Sequence, residues 1–250
     1  MGSQSYRKQF VAFGHWLEKQ EIVEKGKSPM EKVRSIKVPK EKPEDIPDIV
    51  IDKILASFDD SFIGVRDKTI FSWFLETGQR LGGVAGIKLA HFDWEKGVGV
   101  VTEKGNKERT IVISNALKTQ VKKYMEMREP IARCEYLWIN AKGHPLDNFE
   151  VDPPTYHGTY KIFADLNTKF RDDMVKYAPK EGQTIHPHAM RHVWAKHLAQ
   201  AEVPLFSIMV MAGWENLALV QRYAAAYTQE TAWKYINTAS PLSKLIQGQK

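Results

Sequence analysis

A chain of 250 residues is long enough for one large domain, or a domain with an appendage, and can bury a full core. Its composition, 43% hydrophobic and 26% charged, is that of an ordinary globular protein, and its longest apolar run, Leu205 to Trp214, is too short to cross a bilayer, so no membrane partner is expected. One cysteine, Cys134, excludes a disulfide framework and a thiolate metal cluster and suits a reducing, cytoplasmic setting.

The net charge of +6 is unevenly placed. Residues 1–43 hold ten Lys/Arg against five Glu, leaving the remainder of the chain nearly neutral. A basic arm on a neutral body suits a polyanion such as nucleic acid, and it equally suits a solvated tail.

In chain order, residues 5–22 place Phe10, Phe13 and Leu17 at helical spacing. Pro29, Pro39, Pro43 and Pro47 then punctuate a Lys-rich linker, the best boundary in the chain. The expected division is therefore 1–43, one amphipathic helix and a basic linker, and 44–250, the main domain with a tail at 228–250. The helix is too small to fold alone and reads as the last piece of a further domain. DIVIDKILASF and FIGVRDKTIFSWFLETG predict helices, the second stopped by Gly78. Two β-rich runs, 98–102 and 109–113, flank a turn at Lys104-Gly105-Asn106-Lys107 and predict a hairpin. Ser114 predicts the cap of a helix ending near Arg128. Residues 136–140 read as a short strand or connector, 155–178 as one long helix, and 187–201 as a helix with Pro187 in its first turn. Shorter helices are expected at 204–212, 216–226 and 229–237. The fold class is mainly α with a small antiparallel sheet.

The polar features are individually weak. Arg80 follows a helix stop, Lys104 sits in a turn, Trp214 reads as core and Tyr223 as an ordinary amphipathic tyrosine. His188 and Arg191, at i and i+3, share a helix face. His188 and His192, at i and i+4, have the spacing of two zinc ligands, but no glutamate follows the first histidine, no third ligand is evident, and a cation lies between them.

Order and spacing are more specific. TGQRLGGVAGIKLAHFDW resembles the TGLR-x-x-E-L-x-x-L-x-W-x-D-I-D box of tyrosine recombinases, the phage integrase family. KGNKERTIVIS resembles that family's hairpin with its catalytic lysine. HAMRHVWAKHLAQAEVPLFSIMVMAGW resembles its H-x-x-R-H box and the following L-G-H/W. Tyr223 comes nine residues after Trp214, where the family carries its nucleophile. The resemblance covers about residues 45–235, and residues 5–43 resemble the end of the family's core-binding domain with its linker.

The resemblance implies a DNA breaking-rejoining catalytic fold and cleavage of double-stranded DNA without metal or ATP. The phenol oxygen of Tyr223 would attack a phosphodiester to give a 3′-phosphotyrosyl bond. Arg80 and Arg191 would hold the non-bridging oxygens with planar guanidinium forks, where removal of one donor typically costs about 10²–10³ in rate. His188 would assist removal of the phenol proton, Lys104 would protonate the 5′-oxygen leaving group, and Trp214 would donate its indole N–H to phosphate. His192 would pack or hydrogen-bond behind them. Lys37, Lys40, Lys42, Lys107 and Arg109 are expected DNA contacts. Partners would be DNA and three further copies, a tetramer on two sites, with a monomer or weak oligomer otherwise. The C-terminal segment 228–245 would dock on a neighbouring copy.

The chain departs from the family pattern at Gly83, where Glu or Asp usually stands, which puts the support of Arg80 and Lys104 in question. Lys107 rivals Lys104, and Tyr227 rivals Tyr223; spacing favours Lys104 and Tyr223. Two other readings stay open here: a non-cleaving DNA-binding module of the same fold, and a nicking-closing enzyme like type IB topoisomerases.

Overall fold

The computed structural model describes residues 2–33, 45–103, 107–216 and 220. The chain divides into two compact units, Met1–Lys42 and Pro43–Lys250. The first contains helix α1 (Gly2–Lys19) and a 3-10 turn at Pro29–Lys32. The helix ends earlier than its apolar spacing predicts because Glu21 takes a left-handed conformation, φ 59°, and the Glu18 carboxylate accepts from the backbone N–H groups of Gly26 and Ser28. Gly14 lets the returning chain approach: a Cβ there would lie 2.4 Å from Ser28 Oγ.

Among the described residues the second unit is mainly helical with a small antiparallel sheet, as the sequence predicts; the sheet has a third strand, Phe92–Asp93, beyond the expected hairpin. Helix α2 (Asp48–Ala56) leads to α3 (Phe62–Thr77), whose Ser61 cap accepts from Gly64 N–H at 3.0 Å. Helix α3 is buried on almost every side through Val65, Ile70, Phe71, Trp73 and Phe74, as a helix at the centre of a core must be. Trp73 meets Phe92 and Trp138 edge-on, with ring centroids 5.2 and 5.7 Å away. Gly78 stops α3 in the left-handed conformation, φ 55°, as expected of a helix-ending glycine.

A short helix α4 (Leu81–Ala85) follows, then β1 (Phe92–Asp93), β2 (Val98–Glu103) and β3 (Lys107–Val112), in spatial order β1-β2-β3. The register sets Val98 opposite Val112, Val101 opposite Arg109 and Glu103 opposite Lys107. Period-two alternation turns Val101 and Ile111 inward and leaves Val100, Thr110 and Val112 on the outer face.

Helix α5 (Asn115–Arg128) starts at Ser114, whose Oγ accepts from Leu117 N–H at 3.2 Å and donates to Glu76 at 2.7 Å. Residues 136–140 form a connector, not a strand. It is held by Tyr124 Oη donating to Leu137 O, by Arg128 donating to the carbonyls of Cys134, Tyr136 and Leu137, and by Trp138 Nε1 donating to Val84 O.

The expected long helix at 155–178 is two: α6 (His157–Lys169) and α7 (Arg171–Tyr177), separated by Phe170 at φ −110°, ψ 21°. Ile162, Phe163, Leu166, Phe170 and Met174 are all buried, so the apolar rhythm runs unbroken across a backbone break that no glycine or proline marks. Helix α8 (Pro187–Gln200) lies between two apolar clusters. Ala189, Met190 and Val193 face the main core, while Trp194, Ala195 and Ala199 pack with Ile208 and Ala212 of α9 (Leu205–Ala212) and with Trp214. The helices expected at 216–226 and 229–237 and the tail lie outside the described residues, apart from Val220, which is helical and buried. No helix of the described residues is long and apolar enough to cross a membrane.

Candidate active site

The site is built on the first turns of α8. Pro187 occupies its first position, where a missing N–H costs nothing, and His186 Nδ1 accepts from Ala189 N–H at 3.2 Å. That cap fixes the direction in which His188 and Arg191 leave the helix. His188 is exposed, and Arg191, one turn further on, is only 3% exposed. His192 is buried behind His188, its ring edge-on at 4.4 Å between centroids, and so packs behind the pair as expected. Among the described residues no group of three or more His, Cys, Asp or Glu side chains is placed to hold a metal.

Arg191 reaches two helix ends. It donates from Nη1 to Gly78 O and from Nη2 to Ala212 O, both at 2.6 Å. Gly78 caps α3 and Ala212 closes α9. The last carbonyls of a helix lack intrahelical donors and carry partial negative charge, so both are natural seats for a guanidinium. Trp214 lies against the same group, with Arg191 Cζ 4.9 Å from its ring centroid.

Arg80 begins α4 in an extended conformation, φ −73°, ψ 152°, and is exposed. A cleft of 430 Å³ is lined by Arg80, His188 and Arg191 together with Gln79, Leu81, Tyr160, His186 and Pro187. The structure thus gathers Arg80, His188 and Arg191, with Trp214 beside them. Lys104 and Tyr223, with the rival Tyr227, lie outside the described residues, as do Lys37, Lys40 and Lys42. For Lys107 the backbone is described, in β3 opposite Glu103.

Arg109, an expected DNA contact, is anchored within the fold. It is half-buried and donates to Thr77 O at 2.7 Å and to Ala212 O at 3.3 Å. The reason is strand alternation: Arg109 shares the inner face of β3 with Ile111 and stands opposite Val101.

Two features escaped the sequence reading. Gln79, fully buried, accepts through Oε1 from Trp73 Nε1 beneath the cleft; its only signal was TGQR where the box reads TGLR. Gly82 permits a close approach, since a Cβ there would lie 2.8 Å from the hydroxyl of Tyr156. Burial, and after it the charge of Asp147, push the Tyr156 hydroxyl above its ordinary range, so it stays a neutral neighbour of α4. Gly83, at the position of the missing carboxylate, is buried in α4.

Residues 46–230 match the profile of the phage integrase family. This chain belongs to that family. Among integrase-family relatives, tyrosine recombinase XerC of Staphylococcus epidermidis is 31% identical over 183 residues, 72% of this chain and 56% of the relative. Tyrosine recombinase XerA of Pyrococcus horikoshii is 27% identical over 221 residues, 88% of this chain and 68% of that protein. The chain therefore spans little more than half the length of the XerC relatives it matches. In fold it is similar to the Tn1549 transposon integrase solved with transposon right end DNA, at TM-score 0.69 and 16% identity over 95% of this chain and 80% of that one. It is also similar to the XerH site-specific recombinase bound to a palindromic difH substrate, at TM-score 0.66 and 19% identity over 96% of this chain and 66% of that one.

Proposed function

We propose that this chain is the catalytic part of a tyrosine-type site-specific DNA recombinase. The observation that carries this reading is the cleft in which Arg80, His188 and Arg191, drawn from distant stretches of sequence, come together. The relatives named above are tyrosine recombinases, and similar folds have been solved on DNA.

In the proposed reaction a DNA phosphate enters the cleft and accepts hydrogen bonds from Arg80, Arg191 and Trp214. Tyr223 loses its phenol proton, with assistance from His188, as its oxygen bonds to phosphorus. The bond from phosphorus to the 5′-oxygen breaks, and Lys104 supplies the proton that makes the leaving group a free 5′-hydroxyl. The resulting 3′-phosphotyrosine conserves the phosphodiester energy, so a second 5′-hydroxyl reverses the step with no ATP and no metal. Residues 1–43 would be the end of a DNA-clamping domain and its basic linker, and four copies would assemble on two sites.

The test is a duplex from the flanking DNA of the gene's own locus, nicked near the cleavage position so that the released fragment diffuses away. A covalent protein–DNA adduct, insensitive to EDTA and absent from Tyr223→Phe, is expected. A band shift without adduct would overturn cleavage and leave a DNA-binding module. Adduct with supercoil relaxation but no exchange between two sites would overturn recombination in favour of nicking and closing.

A further inference from the structure

Arg109 and Arg191 share an acceptor. Both donate to the carbonyl of Ala212, Arg191 at 2.6 Å and Arg109 at 3.3 Å. Their other acceptors are neighbours in the chain: Gly78 O for Arg191 and Thr77 O for Arg109. The result is a closed ring in which two guanidinium groups and two helix C-termini alternate. Each bond is charge-assisted on the cationic side and meets the negative end of a helix on the other. The stem of Arg109 also runs beside the chain that leaves α9, since a Cβ on Gly213 would lie 3.5 Å from Arg109 Cδ.

We propose that Arg109 is a positioning residue for the reaction: through Thr77 O and Ala212 O it fixes the two helix ends whose carbonyl groups, at Gly78 and Ala212, hold the guanidinium of Arg191, and it acts on cleavage through Arg191. The inference rests on the recombinase reading above. Arg109 sits in a strand paired along its whole length with β2, so its anchor is stiff, whereas α9 is a helix of eight residues ending in a left-handed glycine. Without Arg109 the Ala212 carbonyl loses one of two guanidinium donors, and the end of α9 loses this tie to the sheet. A donor displaced by about 1 Å from a transition state costs on the order of 10²-fold in rate. The same strand begins three residues after Lys104 in the sequence, so one side chain links this strand to the arginine that grips phosphate.

This role differs measurably from a phosphate contact. Each phosphate neutralised contributes about 0.9 to the slope of log affinity against log salt, while a positioning residue contributes nothing to it. The experiment uses the full chain on the nicked duplex, with the parent, Arg109→Lys and Arg109→Ala. For each, DNA affinity is measured across a salt series, the single-turnover adduct rate at saturating DNA, and the thermal midpoint. Arg109→Ala is expected to cleave at least tenfold more slowly, with affinity within twofold of the parent and an unchanged salt slope. Methylguanidinium is expected to restore part of that rate, against an equal concentration of sodium chloride. Arg109→Lys, which reaches one carbonyl instead of two, is expected to fall between parent and Ala and carries the test should Arg109→Ala fail to fold.

A salt slope reduced by about one, with weaker binding, would make Arg109 a phosphate ligand and overturn the inference. So would a folded variant as fast as the parent, or a loss of rate that follows the thermal midpoint and that methylguanidinium leaves untouched. A parent that gives no adduct overturns the recombinase reading itself, and the two failures are thereby distinct.

Discussion

Gly78 meets three demands at once. Its φ of 55° is in the left-handed region, its carbonyl accepts from Arg191 at 2.6 Å, and a Cβ on it would lie 2.4 Å from the ring of Trp194. Gly78→Ala is expected to cost about 1–3 kcal/mol from the backbone alone, and more from the collision with Trp194. Urea denaturation measures this, and a destabilisation below about 0.5 kcal/mol would show that the helix end relaxes freely. At this scale the sequence was most legible where residue type and chemistry coincide. Arg80, His188 and Arg191 announced themselves through their boxes. Arg109 did not, because a guanidinium reads as a surface charge unless the alternation set by Ile111 and Ile113 is followed back along the strand. Gln79 was hidden for a similar reason: its partner, Trp73, lies six residues back in a helix read simply as apolar.

Helix α8 is tied to the start of α2 by a small polar cluster. Lys196 Nζ lies 2.9 Å from Asp45 and 3.2 Å from Asp48, and His197 Nε2 lies 2.9 Å from Asp48. Burial pushes the Asp48 carboxyl up, but the His197 hydrogen bond and the Lys196 charge outweigh it and hold the group below its ordinary value of 3.8. A carboxylate held low stabilises the fold above that value and ceases to do so as pH falls through its folded pKa. The Asp48 side chain is 63% exposed, so its contribution is small. Asp48→Asn is expected to lose under about 1 kcal/mol at pH 7, and the difference should close as pH falls below 3.8. Denaturation at pH 7 and pH 3 checks it; a gap unchanged by pH would remove the charge from the explanation. The elements themselves were legible wherever residue type wrote a cap or stop, as at Ser114, Gly78 and Pro187. The break at Phe170 was not, because buried residues continue in step on both sides of it and the backbone turn has no residue type of its own.

For the whole molecule, the charge distribution leads to a prediction independent of the cleft. With ten Lys/Arg against five Glu in residues 1–43, DNA affinity is expected to fall steeply with salt. Neutralising Lys37, Lys40 and Lys42 together should shallow the slope of log affinity against log salt by about 2.7, roughly 0.9 for each phosphate left without its lysine. Fluorescence anisotropy on one duplex across a salt series reads this, and an unchanged slope would remove the arm from the interface. The mainly helical class, the β2–β3 pairing and the family could all be read from periodicity and motif order, while the two-residue strand β1 could not. What the sequence could not provide was the packing of α8 between two apolar clusters, because that depends on residues far apart in the chain meeting in the fold.

The acceptors that seat Arg191 are main-chain oxygens, and a main chain has no side chain to exchange. Any residue small enough for the buried position 212 would present the same carbonyl, so exchange among small residues there leaves the grip on the arginine intact. Adding or deleting one residue within α9 is another matter. It would rotate the helix end by about 100° and shift it by about 1.5 Å, carrying the oxygen away from its guanidinium. The geometry is recorded in the count of residues between landmarks more than in their identity. Tolerance of substitution beside intolerance of length change is the pattern this stretch should show across natural variants.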